Sequence, residues 1–279
     1  MELQPLLSRV LTLGDEGDWA SAQELLVENL EEFDDEPAVH CWLGVAEREL
    51  GLEGIAYERF RRALALDPED PYVLATVGNG IAAFDDPDAE QALRVAAITA
   101  PEVALTRLLY GAYLTREGLF DEALAELSAA SALDEEDPQV RYELGVLYAF
   151  QDRFDEAADA LADAVRLDPD DGWTRAVFGL VLIEADRVDE GAGELEEAAR
   201  LDAEDVEAQL AAALAAAATE REDAAYEMLE RARMRAAEGD VPIVTAVEDR
   251  LAAGTDSARS LLLEDVTPSF LRARLSQRP

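Results

Sequence analysis

Residues 142–169 decide how this chain folds, and they read YELGVLYAFQDRFDEAADALADAVRLDP. Apolar residues recur at spacings of three and four as far as Phe150, and the pattern resumes at Ala157 after a polar break at 151–153. This periodicity indicates two amphipathic helices joined by a short turn. Pro169 marks the end of the second helix, because proline lacks the amide hydrogen that a helix interior uses.

The same pattern recurs every 33 or 34 residues along the chain. Small residues recur with it, as glycine in the first helix and alanine in the second. The glycine column is Gly44, Gly78, Gly111, Gly145 and Gly179, and the alanine column is Ala56, Ala89, Ala123, Ala157 and Ala225. Small side chains in both columns let the two helices of a hairpin approach closely, whereas larger ones would overpack the contact. A fixed period of this length is typical of stacked helical hairpins.

The order W-x2-L-G-x2-Y, then A-x3-F, then P resembles the tetratricopeptide repeat (TPR) from residue 3 to about residue 239. The resemblance implies an all-α fold, a right-handed α-α superhelix (TPR solenoid) of about seven helical hairpins plus C-terminal capping helices. We place the solenoid at residues 3–252 and a C-terminal tail with a short amphipathic helix at 253–279. The repeats are 3–36, 37–70, 71–103, 104–137, 138–171, 172–205 and 206–239, followed by a capping helix at 241–252.

Three repeats depart from the pattern. The first and last carry Val10 and Ala213 in the glycine column, as expected for terminal repeats with one face toward water. The sixth has Gly191 where alanine is usual and Ala203 where proline is usual. We therefore expect the second helix of the sixth repeat to pack more loosely than the others.

The charge balance is extreme. The 63 acidic residues outnumber the 23 basic ones, the net charge is -40, and every basic residue is arginine. Binding to phosphate backbones needs clustered Lys and Arg, so this composition predicts no nucleic-acid partner and no attraction to anionic lipid. Adaptation to high internal salt and a GC-rich genome both account for the acidity, and the sequence does not separate them.

Several features favour a cytoplasmic protein without cofactors. The alanine-rich run at 210–218 is too short to cross a membrane, so we expect no membrane insertion. The first five residues lack the basic region of a secretory signal, which predicts the cytoplasm as location. Cys41 is the single cysteine, so no internal disulfide forms and nothing pairs it with a metal. We expect Cys41 to pack as a small apolar side chain.

The sequence predicts no catalytic activity. His40 is the single histidine, and no Ser or Cys nucleophile with an orienting acid accompanies it. The glycines precede no Gly-Lys-Ser/Thr motif, so they are not a phosphate loop. Arg107, Arg141 and Arg175 recur at one register. We interpret them as partners of neighbouring Asp and Glu rather than as an anion site.

The resemblance implies that the first helices line a concave groove that holds a peptide or a partner helix. We transfer this role by register to eleven residues. They are Cys41, Val45, Asn79, Leu108, Ala112, Tyr142, Val146, Phe150, Trp173, Leu180 and Leu210. Relatives that clamp acidic peptide termini use lysine and asparagine here, whereas this chain has no lysine.

An apolar groove with an acidic rim suits a protein or peptide that carries apolar anchors and positive charge. Tyr142, Phe150 and Trp173 are the anchors that we expect to contact such a partner. Ordinary packing between neighbouring first helices explains these aromatics equally well.

The tail differs from the rest of the chain because it is rich in arginine. Its apolar stretches 260–263 and 269–275 and the helix start at Thr267-Pro268 predict a helix that docks on an acidic surface. The sequence thus predicts a non-catalytic interaction scaffold or adaptor. The alternative is a self-associating or regulatory subunit whose groove is filled by its own tail, including a homodimer formed through the C-terminal helices.

Overall fold

The computed structural model describes residues 2–277, and every regular element in this range is a helix. The described part holds seventeen α-helices, a 3-10 turn at Glu238–Asp240 and a π-helical turn at Leu262–Val266. The α-helices are α1 Leu3–Asp15, α2 Trp19–Asn29, α3 Pro37–Glu49, α4 Glu53–Ala65, α5 Pro71–Ala82, α6 Ala89–Thr99, α7 Ala104–Arg116, α8 Phe120–Leu133, α9 Pro138–Phe150, α10 Phe154–Leu167, α11 Gly172–Glu184, α12 Val188–Leu201, α13 Val206–Ala218, α14 Glu222–Arg235, α15 Val241–Ala252, α16 Thr255–Leu261 and α17 Thr267–Ser276.

The chain divides into two compact units. Unit 1 ends at Asp134 and unit 2 begins at Glu135. In unit 1 each odd-numbered helix packs against the even-numbered helix that follows it, from the pair α1 and α2 to the pair α7 and α8. Successive pairs stack through contacts such as that between α4 and α5.

Unit 2 repeats this arrangement in three hairpins, formed by α9 with α10, α11 with α12, and α13 with α14. The helix α15 packs against α14 and α13, and α16 packs against α13. The last helix, α17, packs against α11 and α9. The predicted all-α fold of consecutive hairpins is thereby confirmed, whereas the boundaries given to the repeats stay a prediction. The final two residues of the predicted tail, 278 and 279, lie outside the described residues.

Close contact between the helices of a hairpin depends on the glycine column, as the periodicity predicts. A Cβ atom added to Gly145 would lie 2.6 Å from Leu161 Cγ and 3.4 Å from the carbonyl oxygen of Ala157. In the same way, a Cβ atom added to Gly44 would lie 2.7 Å from Cε1 of Phe60. Contacts this short leave no room for a methyl group, so the glycines set the distance between the helices.

The sixth repeat packs more closely than the sequence suggested. A Cβ atom on Gly191 would lie 2.6 Å from the backbone oxygen of Gly179, and Gly191 is buried. Two glycines therefore face each other where the four preceding hairpins, from 37–70 to 138–171, pair glycine with alanine. The expectation of a looser second helix was wrong, because removing the alanine methyl group allows a shorter backbone approach.

The turn inside each hairpin has one residue with a left-handed backbone. In the chain these residues are Gly17, Gly51, Asp85, Gly118, Asp152, Asp186 and Glu220, with φ between 53° and 76°. They occupy one register position. Glycine adopts this conformation without steric cost, whereas a residue with a Cβ is strained.

Neighbouring repeats are joined by a second regular contact. A side chain near the start of a first helix donates to the carbonyl six residues earlier, which lies just after the preceding second helix. The donor and acceptor pairs are His40 with Asp34, Arg107 with Pro101, Arg141 with Glu135, Arg175 with Pro169, and Gln209 with Ala203. We call this set the junction donors.

Two of the junction donors also form ion pairs. Arg107 pairs with Glu126 and Arg175 with Glu194, each at 2.7 Å. The interpretation of these two arginines as partners of nearby acids is confirmed.

Candidate functional site

The faces predicted to bind a partner differ in exposure between the two units. At one register position of the first helices, Val45 and Ala112 of unit 1 are 7% and 8% exposed, whereas Val146 and Leu180 of unit 2 are 0% and 1% exposed. A second register position shows the same contrast. Trp42, Thr76 and Leu109 of unit 1 are half-buried, while Glu143, Val177 and Ala211 of unit 2 are buried.

The helices that pack on α9, α11 and α13 explain the greater burial in unit 2. Leu262, Leu271 and Leu275 of the C-terminal segment belong to the same apolar cluster as Leu180 and Leu210. Each of these leucines is less than 5% exposed. We call this contact surface of α9, α11 and α13 the unit 2 face.

One arginine of α17 is buried in this contact. The side chain of Arg274 is 2% exposed, and its Nη2 atom donates to both carboxylate oxygens of Asp205 at 2.7 and 2.6 Å. Its guanidinium carbon lies 4.5 Å from the centre of the Trp173 ring. Glu207 adds a second carboxylate at 3.6 Å from Nη2. The guanidinium thus meets an aromatic ring and two negative charges.

Local sequence explains why Asp205 is well placed for this contact. It is the N-cap of α13, and its Oδ1 atom accepts a hydrogen bond from the backbone nitrogen of Ala208 at 2.9 Å. A carboxylate at this position satisfies a free amide at the helix start and lies at the positive end of the helix dipole. The helix therefore holds the carboxylate in position before Arg274 binds it.

The pKa of Glu207 is raised above its ordinary value. Burial is the largest cause, Arg274 opposes it, and the negative charges of Asp205 and Asp240 add to it. The side chain is still 46% exposed, so water screens these effects. The direction shows that burial, helped by the neighbouring carboxylates, outweighs the attraction of Arg274 for the charged form of Glu207.

The three predicted anchors all belong to unit 2, and two of them are in contact. Tyr142 is 4% exposed, and Trp173 and Phe150 are half-buried. The indole Nε1 of Trp173 donates to the Tyr142 hydroxyl at 3.0 Å. This hydrogen bond fixes the orientation of the ring on which Arg274 stacks.

In unit 1 the predicted groove residues are mostly packed between helices. Cys41 is fully buried with its Sγ 3.9 Å from the Val73 carbonyl oxygen, and Leu108 is 1% exposed. Burial raises the pKa of Cys41 to about 12, with a smaller contribution from Asp70. Asn79 is half-buried. The assignment of all eleven residues to a partner-binding groove stays a prediction.

The sequence analysis missed the two acids that hold Arg274. Asp205 and Glu207 were read as part of the general acidity, although an Asp directly precedes α9, α11 and α13 alike. A signal was available on the other partner as well. Leu271, Arg274 and Leu275 share one helical face, so the arginine lies within the apolar stripe of α17.

The described residues lack two other kinds of feature. Within 2–277, no group of three or more His, Cys, Asp or Glu side chains is arranged to hold a metal ion. In that same range, none of the helices combines the length and the apolar character needed to span a bilayer.

Residues 114–176, which include α9 and the N-terminal part of α11, match the family model described as tetratricopeptide repeat. This segment carries the tetratricopeptide-repeat pattern. No curated protein matches the chain. The resemblance to the family therefore rests on the repeat model, and solved structures support the fold.

Three solved structures illustrate the similarity. A chain of the Cut9–Hcn1 hetero-tetramer of the APC/C matches 87% of this chain with a TM-score of 0.71 and 18% identity. A tetratricopeptide repeat protein from Parabacteroides merdae matches 91% of it, over 98% of its own length, with a TM-score of 0.59 and 14% identity. A thermophilic TPR protein of Thermus thermophilus matches 64% of it, over 98% of its own length, with a TM-score of 0.55 and 26% identity.

The first of these matches covers 48% of the Cut9–Hcn1 chain, so the present chain spans about half of that length. The structural similarity confirms the predicted solenoid fold. Tetratricopeptide-repeat folds generally mediate protein–protein interactions.

Proposed function

We propose that this protein is a non-catalytic interaction scaffold whose unit 2 face binds a helix with apolar anchors and a central arginine. Its own α17 occupies that face. Release of this helix would then regulate the binding of a partner to the adaptor. The observation that carries this proposal is the burial of Arg274 between Asp205 and Trp173.

The cost of burying a charge makes this observation informative. An arginine removed from water is destabilising unless its charge is paired and its hydrogen bonds are satisfied. A chain end that packed only through leucines would leave its arginines exposed, as Arg272 is. Arg274 instead pairs its charge through Nη2 with a carboxylate held by a helix N-terminus, while its buried Nη1 has no hydrogen-bond partner among the described residues. The charge pairing and the stacking on Trp173 give the contact the complementarity of a specific interface.

A foreign helix of the same chemistry would compete with α17 for the unit 2 face. The tether gives α17 an effective concentration that corresponds to millimolar free peptide for a short flexible linker. The linker here is short, because only Ala253-Gly254 separates α15 from α16, and Gly254 has φ of 104°. A partner in trans must therefore bind more tightly than an untethered copy of α17, or the tail must first be released.

A competition experiment on the full chain tests the proposal. The probe is a fluorescent peptide of residues 265–277, and its binding is measured by polarisation to the wild-type protein, to Arg274→Gln and to Arg272→Gln. We expect tighter peptide binding to Arg274→Gln, because its own tail competes less. Arg272→Gln removes the same charge from the exposed side of α17 and should match the wild type. Equal affinity for all three proteins would contradict the proposal.

The homodimer expected from the sequence is a second form of the same proposal. If α17 of one copy binds the unit 2 face of another, sedimentation velocity will show a dimer that dissociates in Arg274→Gln. The direct connection from α15 through α16 to α17 favours binding within one chain. The lack of a nucleic-acid partner remains part of the proposal and is supported by the acidic composition. A cytoplasmic location is also part of the proposal.

A further inference from the structure

A cavity of about 270 Å³ lies in unit 2 next to Trp173. Its described lining comes from the start of α9, the end of α10 and the start of α11. The residues that matter to the argument are Gln139, Tyr142, Asp168, Asp171, Trp173 and Thr174. The lining thus includes two aromatic rings and two carboxylates.

This cavity is the repeat equivalent of the site that holds Arg274. Shifting Trp173, Asp205 and Glu207 back by one repeat of 34 residues gives Gln139, Asp171 and Trp173. All three of these line the cavity. The same place in two successive repeats is thus filled by a guanidinium in one case and forms a cavity in the other.

The carboxylates of the two places have the same local role. Asp171 is the N-cap of α11 and accepts a hydrogen bond from the backbone nitrogen of Thr174, as Asp205 does for α13 from Ala208. They differ at the other carboxylate oxygen. Oδ2 of Asp205 accepts from Arg274, whereas Oδ2 of Asp171 accepts from the Thr174 hydroxyl at 2.5 Å. Thr174 therefore supplies the hydrogen bond that the arginine supplies one repeat later.

We propose that this cavity, bounded by Asp168, Asp171 and Trp173, binds the guanidinium of an arginine side chain from a partner protein. This proposal rests on the proposed function. It adds to the unit 2 face a second arginine subsite beside the one that Arg274 fills. A partner that presents two arginines one repeat apart would use both subsites once the tail is released.

The chemistry favours arginine over lysine. The flat guanidinium stacks on an indole and donates through a fork that matches a carboxylate, whereas an ammonium is a compact and strongly hydrated charge. The cavity offers an indole, a carboxylate fixed by a helix N-terminus and a second carboxylate at Asp168. The net charge of -40 also attracts cationic segments to this surface.

The test uses the full chain and the indole N–H signal of Trp173, assigned by its loss in Trp173→Phe. N-acetyl-arginine amide is titrated while the signal is followed by nuclear magnetic resonance, and N-acetyl-citrulline amide serves as the neutral probe of equal shape. We expect a saturable shift with the arginine amide and none with the citrulline amide. The shift should weaken about tenfold or more in Asp171→Asn, because the charged hydrogen-bond acceptor is lost.

Two further variants make the test sharper. Asparagine caps helices as well as aspartate does, so Asp171→Asn keeps α11 intact, and Asp70→Asn makes the same change at the N-cap of α5 in unit 1. Asp70→Asn should bind the arginine amide as the wild type does. Thr174→Ala makes the cavity match the Arg274 site, where Ala208 stands, and should tighten binding several-fold by freeing Oδ2 of Asp171.

The possible failures are distinguishable. If no saturable shift occurs in the wild type or in Thr174→Ala, the cavity is not a guanidinium site. If a shift occurs only in Arg274→Gln, the probe enters the Arg274 site, and the cavity proposal is wrong while the proposed function stands. If hydrogen exchange of α17 is the same in Arg274→Gln and Arg272→Gln, the proposed function is wrong whatever the probe does.

Discussion

The guanidinium carbon of Arg274 lies 4.5 Å from the centre of the Trp173 ring, and the same guanidinium donates to both carboxylate oxygens of Asp205. A cation over an aromatic face is worth about 0.5 to 2 kcal/mol, with the upper value where water is excluded. The side chain of Arg274 is only 2% exposed, so water is excluded from the contact and the upper value applies. This one side chain therefore ties the C-terminal helix to two successive first helices.

Replacing Arg274 with Gln should loosen α17 without unfolding unit 2. The loss of charged hydrogen bonds costs about 1.5 to 3 kcal/mol, which corresponds to about 10- to 100-fold less protection of the amides of 267–276 against hydrogen exchange. Arg272→Gln is the control, because Arg272 is exposed on the same helix. Equal protection in the two variants would contradict the assigned role of Arg274.

Two glycines of α12 provide a matched pair for the packing argument. Gly191→Ala should destabilise the protein by about 1 to 3 kcal/mol, because the new methyl group meets the Gly179 carbonyl. Gly193→Ala should stabilise it by about 0.5 to 1 kcal/mol, because a Cβ there meets no atom within 4 Å and alanine favours a helix. Thermal unfolding monitored by circular dichroism measures both. The same sign of effect at the two positions would refute the close-approach explanation.

Glu220 is strained at the turn between α13 and α14. Its φ of 61° places it in the left-handed region, where a residue with a Cβ pays a steric cost. Glu220→Gly should therefore raise the free energy of unfolding by up to about 1 kcal/mol, despite the greater freedom of glycine in the unfolded chain. Glu222→Gly, two residues later and inside α14, should instead lower it. A loss of stability in both variants would show that strain at Glu220 is negligible.

The buried carboxylate of Asp86 makes the stability of unit 1 depend on pH. Burial raises the pKa of Asp86, but hydrogen bonds from the Asp88 amide and the Tyr57 hydroxyl, together with the charge of Arg61, outweigh it and hold the pKa below its usual 3.8. Because the folded pKa is the lower one, this stabilisation is present above the unfolded pKa and is lost as the pH falls through the folded pKa.

Asp86→Asn should consequently lower the stability by about 1 to 3 kcal/mol at neutral pH, with a difference from wild type that is constant above about pH 5 and shrinks below about pH 4. Urea unfolding at a series of pH values measures this difference. Asp85→Asn removes an exposed charge from the same turn and should change little. A difference that stays constant into acid would exclude ionised Asp86 as its source.

Added salt should stabilise the whole chain. With a net charge of -40, carboxylates repel one another in the folded state, and raising KCl from about 0.1 to 1 M shortens the screening length from about 10 to 3 Å. We expect the melting temperature to rise over this range and to rise less near pH 4, where many carboxylates are protonated. A melting temperature that stays flat or falls at neutral pH would rule out self-repulsion as a significant cost.

The fold was predictable because its determinants recur. Gly145 and Ala157 lie on the two helices of one hairpin, with only the turn between the helices separating them in sequence. A local pattern repeated along the chain was therefore enough to predict their contact. The prediction was wrong for Gly191, because the sequence could not show that Gly179 faces it. The prediction assumed that a repeat packs tightly only when it matches the usual pattern. Replacing the usual alanine with the smaller glycine instead brings the two helices of the hairpin closer together.

The site was harder to predict because its partners are distant in sequence. Docking of an arginine-bearing helix on an acidic surface was foreseeable from composition, but the choice of Arg274 over Arg272 depends on which face of α17 is buried. The choice of Asp205 among 63 acidic residues depends on the register of α13 against α17. Periodicity gives each helix its apolar face, whereas the pairing of two faces follows from the three-dimensional path of the chain.

The junction donors make the order of the repeats matter. The chemistry at the start of one repeat is matched to the end of the repeat before it, as when Arg175 binds the Pro169 carbonyl. The repeat that begins at Pro71 has Leu74 at the donor position, and the leucine side chain has no hydrogen-bond donor. Transplanting that repeat to follow Pro169 would leave the carbonyl without its donor. The repeat at 71–103 is therefore not interchangeable with its donor-bearing neighbours, and a shuffled version of the array must place it after a carbonyl that needs no such donor, as at its natural position.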